Sequence, residues 1–157
     1  MVFSNLIEAI GHTPLVRLQP EGGLAQLYAK LEMQNLYGMK DRVAKRTILE
    51  ARRKGILRPG MPIIESSSGT MALGVATVGT YLGHEVHIVT DPRIDDITLC
   101  KLKALGVHVH IVEKMTGNGW QSARLEELAE LMRVYPGSFW PQQYENPDNP
   151  GSYAELS

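Results

Sequence analysis

Apolar residues recur along this chain with two different periods, and the change from one to the other divides it. Up to residue 31 the runs are short. A brief helical stretch over 6–10 is followed by a turn through Gly11-His12-Thr13-Pro14, with His12 as a turn residue, and by an extended run at 15–18. A second turn at Pro20-Glu21-Gly22-Gly23 leads to an alternating run over 25–31, so the two runs predict a hairpin-like strand pair. From residue 40 the punctuation becomes helix, glycine, short apolar run, Gly-bearing turn and helix again, repeated to about residue 139. An amphipathic helix is expected over 41–54, with Val43, Ala44, Ile48, Leu49 and Ala51 on one side and Arg42, Lys45, Arg46, Glu50, Arg52 and Arg53 elsewhere. Strands are expected at 62–65, 85–90, 108–112 and 138–140, and helices at 70–82, 95–105 and 120–134. In the last helix Leu125, Leu128, Ala129 and Met132 form a stripe that reads as core packing. This βαβ rhythm predicts an α/β fold, a parallel twisted sheet with helices on both faces. There is no run of eighteen apolar residues and no internal repeat beyond the structural alternation.

Composition narrows the function. With 157 residues, 43% hydrophobic and 21% charged, the chain has the make-up of a globular domain with a proper core. Sixteen basic and 17 acidic residues leave a formal charge of −1, which gives no electrostatic footprint for nucleic acid or an anionic membrane. A small metabolite is the expected partner. Cys100 is the one cysteine, so an internal disulfide and a cysteine-built metal site are excluded, and its place in a helical run predicts a buried thiol. No charged-then-apolar leader opens the sequence, and the expected location is the cytoplasm.

Two stretches carry candidate chemistry. In Asn35-Leu36-Tyr37-Gly38-Met39-Lys40-Asp41-Arg42 a lysine stands where a Gly-bearing loop becomes a helix. The positive end of the helix dipole and neighbouring cations favour a neutral amine there, the form that attacks a carbonyl. In Ser66-Ser67-Ser68-Gly69-Thr70 a strand passes into a helix of small residues, so backbone N–H groups and hydroxyls face anything negative. A Ser/Thr helix cap explains one of those hydroxyls without a ligand. His87, His108 and His110 lie on strands, yet no carboxylate or cysteine is spaced to complete a set, and no metal is expected. Met115-Thr116-Gly117-Asn118-Gly119-Trp120 reads as a plain turn. A mononucleotide-binding domain fits the rhythm but lacks a G-x-G-x-x-G fingerprint.

The stretches Ile10-Gly11-His12-Thr13-Pro14-Leu15-Val16-Arg17-Leu18, Lys30-Leu31-Glu32, Lys40-Asp41-Arg42 and Glu65-Ser66-Ser67-Ser68-Gly69-Thr70 occur in one order. In that order they resemble the fold-type II pyridoxal-phosphate enzymes, most closely the cysteine synthase and cystathionine β-synthase family. The resemblance runs from Asn5 to Tyr153. It implies the tryptophan synthase β-like fold, with residues 1–37 belonging to a larger cofactor domain, 38–141 a small βαβ domain, and 142–157 the start of the larger domain, truncated. It implies pyridoxal 5'-phosphate as cofactor and Lys40 as the Schiff-base lysine and general base. Ser67, Ser68, Gly69 and Thr70 inherit the grip on the substrate carboxylate, and Gln143, with Gln142 as its alternate, matches the glutamine of the family's Gln-Phe-x-Asn-Pro segment. Thr70 stands where the family has an asparagine against the cofactor's ring oxygen. The lysine loop has Leu36 for the usual proline and one residue fewer before Lys40. The implied reaction is β-replacement on O-acetylserine or O-phosphoserine by sulfide, thiosulfate or homocysteine. The implied state is a homo-oligomer, or a pairing with a missing C-terminal half. The rival expectation is a non-catalytic fragment or interaction module that keeps the small domain without cofactor.

Overall fold

A computed structural model describes residues 2–19, 22 and 26–156. The element order is α1 (Leu6–Ala9), β1 (Leu15–Leu18), β2 (Leu27–Lys30), a 3-10 turn (Glu32–Gln34), α2 (Lys40–Arg53), β3 (Ile63–Ser66), α3 (Thr70–Tyr81), β4 (Val86–Thr90), α4 (Asp96–Ala104), β5 (His108–Ile111), α5 (Trp120–Val134), α6 (Asp148–Gly151) and a last 3-10 turn (Ala154–Leu156). β1 and β2 pair antiparallel, Leu15 opposite Lys30 and Leu18 opposite Leu27. The expected turn between them lies mostly outside the described residues. β3, β4 and β5 form a parallel sheet in that order, with Ile63 opposite Val86 and His87 opposite His108. No helix among the described residues is long and apolar enough to cross a membrane.

Helices cover both faces of the parallel sheet because its strands are apolar on both. Ile63, Val86 and Ile88 face one core with α2, α3 and α4, while Ile64 and Val89 face a second with Ala123, Leu128 and Leu131 of α5. α3 is the central element, buried from Met71 to Gly79. Its small residues let it lie close on both sides. A Cβ on Gly74 would stand 3.0 Å from the Ala44 Cβ of α2, and one on Gly79 would stand 2.7 Å from the Val86 Cγ2 of β4. α2 turns Val43, Ala44, Thr47, Ile48 and Ala51 toward α3, an i, i+3/i+4, i+7 face.

The packing corrects several expectations. The 138–140 strand is a single parallel bridge between Phe139 and Ile63, with Phe139 N–H to Pro62 O at 2.8 Å and Ile64 N–H to Phe139 O at 2.9 Å. Pro141 brings no N–H to extend it. Cys100 is exposed, not buried. α4 turns Leu102 inward, and Cys100 lies about 200° round the helix from it. Leu49 is exposed because α2 presents Ile48 and Ala51 to α3, about 100° away for the first of these. On α5, Ala129 is exposed and the inner face is Ala123, Arg124, Leu128 and Leu131.

Candidate active site

Lys40 is the first residue of α2 and is half-buried. The loop before it is fixed by Asp41, whose Oδ2 accepts the Tyr37 N–H at 2.7 Å and the Gly38 N–H at 3.3 Å. Asp41 itself is sealed, and burial pushes its carboxyl above the usual range against those two hydrogen bonds. Gly38 has φ +137°, a conformation closed to most side chains, and lies against the Thr70 methyl, 4.0 Å from where a Cβ would sit. The Gly74 contact draws α2 and α3 together just below. The lysine loop and the 66–70 loop, separate in sequence, therefore meet at the N-terminal ends of two packed helices.

A polar network behind Lys40 joins the remaining sequence stretches. Glu32 accepts Arg42 Nε at 2.7 Å and the Thr13 hydroxyl at 2.6 Å, and the Arg42 guanidinium holds its carboxyl below the usual range. Asn35 Oδ1 accepts the Gly11 N–H at 2.8 Å while its amide donates to Glu32. Arg42 also donates to Gly11 O. Nearby lysines are engaged: Lys45 donates to Ile10 O at 2.8 Å, and Lys30 to Thr13 O. Lys40 Nζ makes no hydrogen bond or ion pair with a described residue.

The 66–70 loop leaves the carboxyl end of β3, where ligands collect in parallel sheets. Ser67 N–H still donates to Val89 O at 3.0 Å, and Ser67 Oγ then accepts the Gly69 N–H at 3.3 Å. No side chain caps α3, and the N–H groups of Thr70 and Met71 donate to nothing among the described residues. These free donors at a helix N-terminus suit a carboxylate or phosphate. Thr70 is exposed beside them, not serving as a cap. Gln143 is buried and donates its amide to Ser66 O at 3.3 Å, which places it against the loop; Gln142 is exposed.

Three groups of this region escaped the sequence reading. Arg124, on the inner face of α5, donates to Ser68 Oγ at 3.1 Å and to Asp91 Oδ2 at 2.8 Å. Asp91 is fully buried; its hydrogen bonds from Arg93, with the Arg124 charge beside it, hold the carboxyl low. An acid directly after an apolar strand was the available signal, since that position is the carboxyl edge of the sheet. Glu65 lies beneath the loop at the end of β3, with Oε1 accepting the Ser66 N–H at 2.7 Å and Trp140 Nε1 at 3.2 Å. Burial pushes it up to about 7. The histidine set also needs correction: a carboxylate does join it, because Glu85 Oε1 is 3.2 Å from both His87 Nε2 and His108 Nε2.

Known proteins share the sequence pattern and the fold of this chain. The sequence matches the family described as pyridoxal-phosphate dependent enzyme over residues 6–157. It is 36% identical over 153 residues to N-(2-amino-2-carboxyethyl)-L-glutamate synthase of Ralstonia nicotianae, covering 95% of this chain and 45% of that one. It is 36% identical over 163 residues to a probable cysteine synthase of Bacillus subtilis, covering 99% of this chain and 50% of the relative. Among solved structures, cysteine synthase of Entamoeba histolytica superposes with a TM-score of 0.86 at 30% identity, over 98% of this chain and 47% of that one. The chain thus spans about half the length of the relatives it matches.

Proposed function

Since the chain belongs to the pyridoxal-phosphate dependent enzyme family, we propose that it carries the catalytic lysine and carboxylate loop of a β-replacement enzyme, cysteine synthase-like, acting on O-acetylserine or O-phosphoserine with a sulfur nucleophile. The observation that carries this reading is the Lys40 Nζ, which engages no described residue and starts α2 beside the Gly38–Thr70 contact of the two loops, while Lys30 and Lys45 are tied to backbone carbonyls.

The residues present fit the cofactor on one side. Lys40 Nζ would hold it covalently, and Thr70, exposed beside the free N–H groups of α3, would contact its ring edge. Bound there, the cofactor supplies a sink for the electron pair left when the substrate's α-C–H bond breaks. Lys40 Nζ, its bond to the cofactor given up to the substrate's amine, would take that proton as general base, from a loop that Asp41 fixes in place. Ser67, Ser68, Gly69, Thr70 and Gln143 bind the substrate carboxylate, the backbone N–H groups of α3 pointing at it and Gln143 closing the side toward β3. Arg124 positions Ser68 from behind through its bond to the hydroxyl.

In domain terms, we propose that residues 38–141 form the small substrate-loop domain, with 1–37 and 142–157 belonging to a larger cofactor domain. The apolar residues exposed on β1 and β2, among them Leu15, Leu18, Leu27 and Tyr28, would pack there on the part of the enzyme that corresponds to the other half of the relatives.

The test uses Gly69→Val. A Cβ at Gly69 meets nothing within 4 Å, so the site has room for a branched side chain at the N-cap of α3, next to its free N–H donors; circular dichroism verifies the fold of the variant. With pyridoxal phosphate present, O-acetylserine is titrated against the visible absorption. The loss of one charge-assisted hydrogen bond, about 1.5–3 kcal/mol, raises the half-effect concentration at least tenfold. An unaltered concentration in the variant would mean that this loop does not bind the carboxylate.

A further inference from the structure

We propose that Glu85, His87 and His108 form a binding site for a borderline divalent cation of the zinc class, at the end of the parallel sheet opposite the 66–70 loop. The parallel register brings the group together. His87 on β4 stands opposite His108 on β5, and Glu85, two residues before His87, points to the same face. One ligand atom from each lies within 4.8 Å of the other two.

The spacing matches a coordination shell. Zinc bonds to imidazole nitrogen and carboxylate oxygen measure about 2.0–2.2 Å, and tetrahedral angles then separate ligand atoms by about 3.4 Å. Glu85 Oε1 stands 3.2 Å from His87 Nε2 and 3.2 Å from His108 Nε2. The remaining edge closes by rotation of His108, whose side chain is 58% exposed. Glu85 is 45% exposed, so solvent reaches the site, while His87 is buried and fixed.

His87 is oriented by a further contact. Its Nδ1 is 3.0 Å from His110 Nε2, which leaves Nε2 toward Glu85. With a cation on Nε2, His87 carries its proton on Nδ1 and donates it to His110, the outer partner that histidine ligands commonly have. Just past α5, the Tyr135 ring packs with its centroid 4.3 Å from that of His87. Two imidazoles and one carboxylate suit zinc, nickel or copper better than magnesium or calcium, and three ligands leave one position for water.

The experiment is zinc titration of the metal-free, untagged chain by calorimetry, repeated for His108→Ala, Glu85→Gln and His12→Ala. His108 and Glu85 are exposed, so both variants keep the fold, and circular dichroism verifies this. The expected result is saturation at one zinc per chain, affinity at least ~10-fold weaker in His108→Ala and Glu85→Gln, none of that loss in His12→Ala, and no competition from excess magnesium. Absence of saturable binding, or zinc affinity unmoved by His108→Ala and Glu85→Gln, would overturn the proposal.

Discussion

Glu65→Gln isolates the most perturbed carboxyl near the candidate site. Glu65 is 1% exposed, its Oε1 accepts two hydrogen bonds, and its Oε2 is buried without a partner. Burial is the largest cause of its rise from 4.5 to about 7, opposed by the hydrogen bonds from Ser66 and Trp140. At about 1.4 kcal/mol per tenfold change in proton affinity, that rise corresponds to about 3 kcal/mol against the ionised form. Between 4.5 and about 7 the folded state holds the proton and the unfolded state has lost it. Stability therefore falls as pH rises through that window and is level in this respect above it. Glutamine keeps the shape and the accepting oxygen but does not titrate. Urea unfolding of both proteins from about pH 4 to pH 8 gives two stability profiles, and their difference removes every other titrating group. The difference is expected to shift by about 3 kcal/mol in favour of the variant on going from the acid to the neutral end, whatever constant offset the amide introduces. Parallel profiles would refute the reasoning, because they would mean that the carboxyl is solvated or paired in the folded state.

Two other substitutions follow from the packing. Arg124→Leu leaves Ser68 without its donor and Asp91 with Arg93 alone; unfolding by denaturant should show a loss of about 1–3 kcal/mol, and a wild-type midpoint would show the pair to be idle. Gly79→Ala recovers about 0.5–1 kcal/mol of helix propensity but sets a methyl 2.7 Å from Val86 Cγ2 and 3.1 Å from Ile63 Cδ1, an overpacking that costs about 1–3 kcal/mol, so its melting temperature should drop rather than rise.

Local pattern carried the elements further than it carried their neighbours. β1 and α5 have the bounds that periodicity gives, and the lysine loop is followed by the expected helix, because turn chemistry and apolar spacing are local properties. Which way a residue faces depends on what lies beside it, so Leu49, Cys100 and Ala129 were misplaced by a single helical position or two. The candidate site divides in the same way. Lys40, Gly69 and Thr70 stand in short stretches whose chemistry shows in their order. Arg124 and Asp91 are 33 positions apart and meet through the stacking of α5 on β4. Glu85 joins His108 only through the register of two parallel strands.

The central claim is that Lys40 is the lysine that carries the cofactor. The direct measurement is borohydride reduction of the chain in the presence of pyridoxal phosphate, followed by proteolysis and mass mapping. Because the matched relatives are about twice as long, the chain by itself is expected to hold the cofactor weakly, and reduction traps it before exchange. The account predicts a pyridoxyl group on Lys40, lost in Lys40→Ala, with Lys30 and Lys45 unlabelled behind their bonds to Thr13 and Ile10 carbonyls. Label on Lys30 or Lys45, or undiminished labelling of Lys40→Ala, would contradict it.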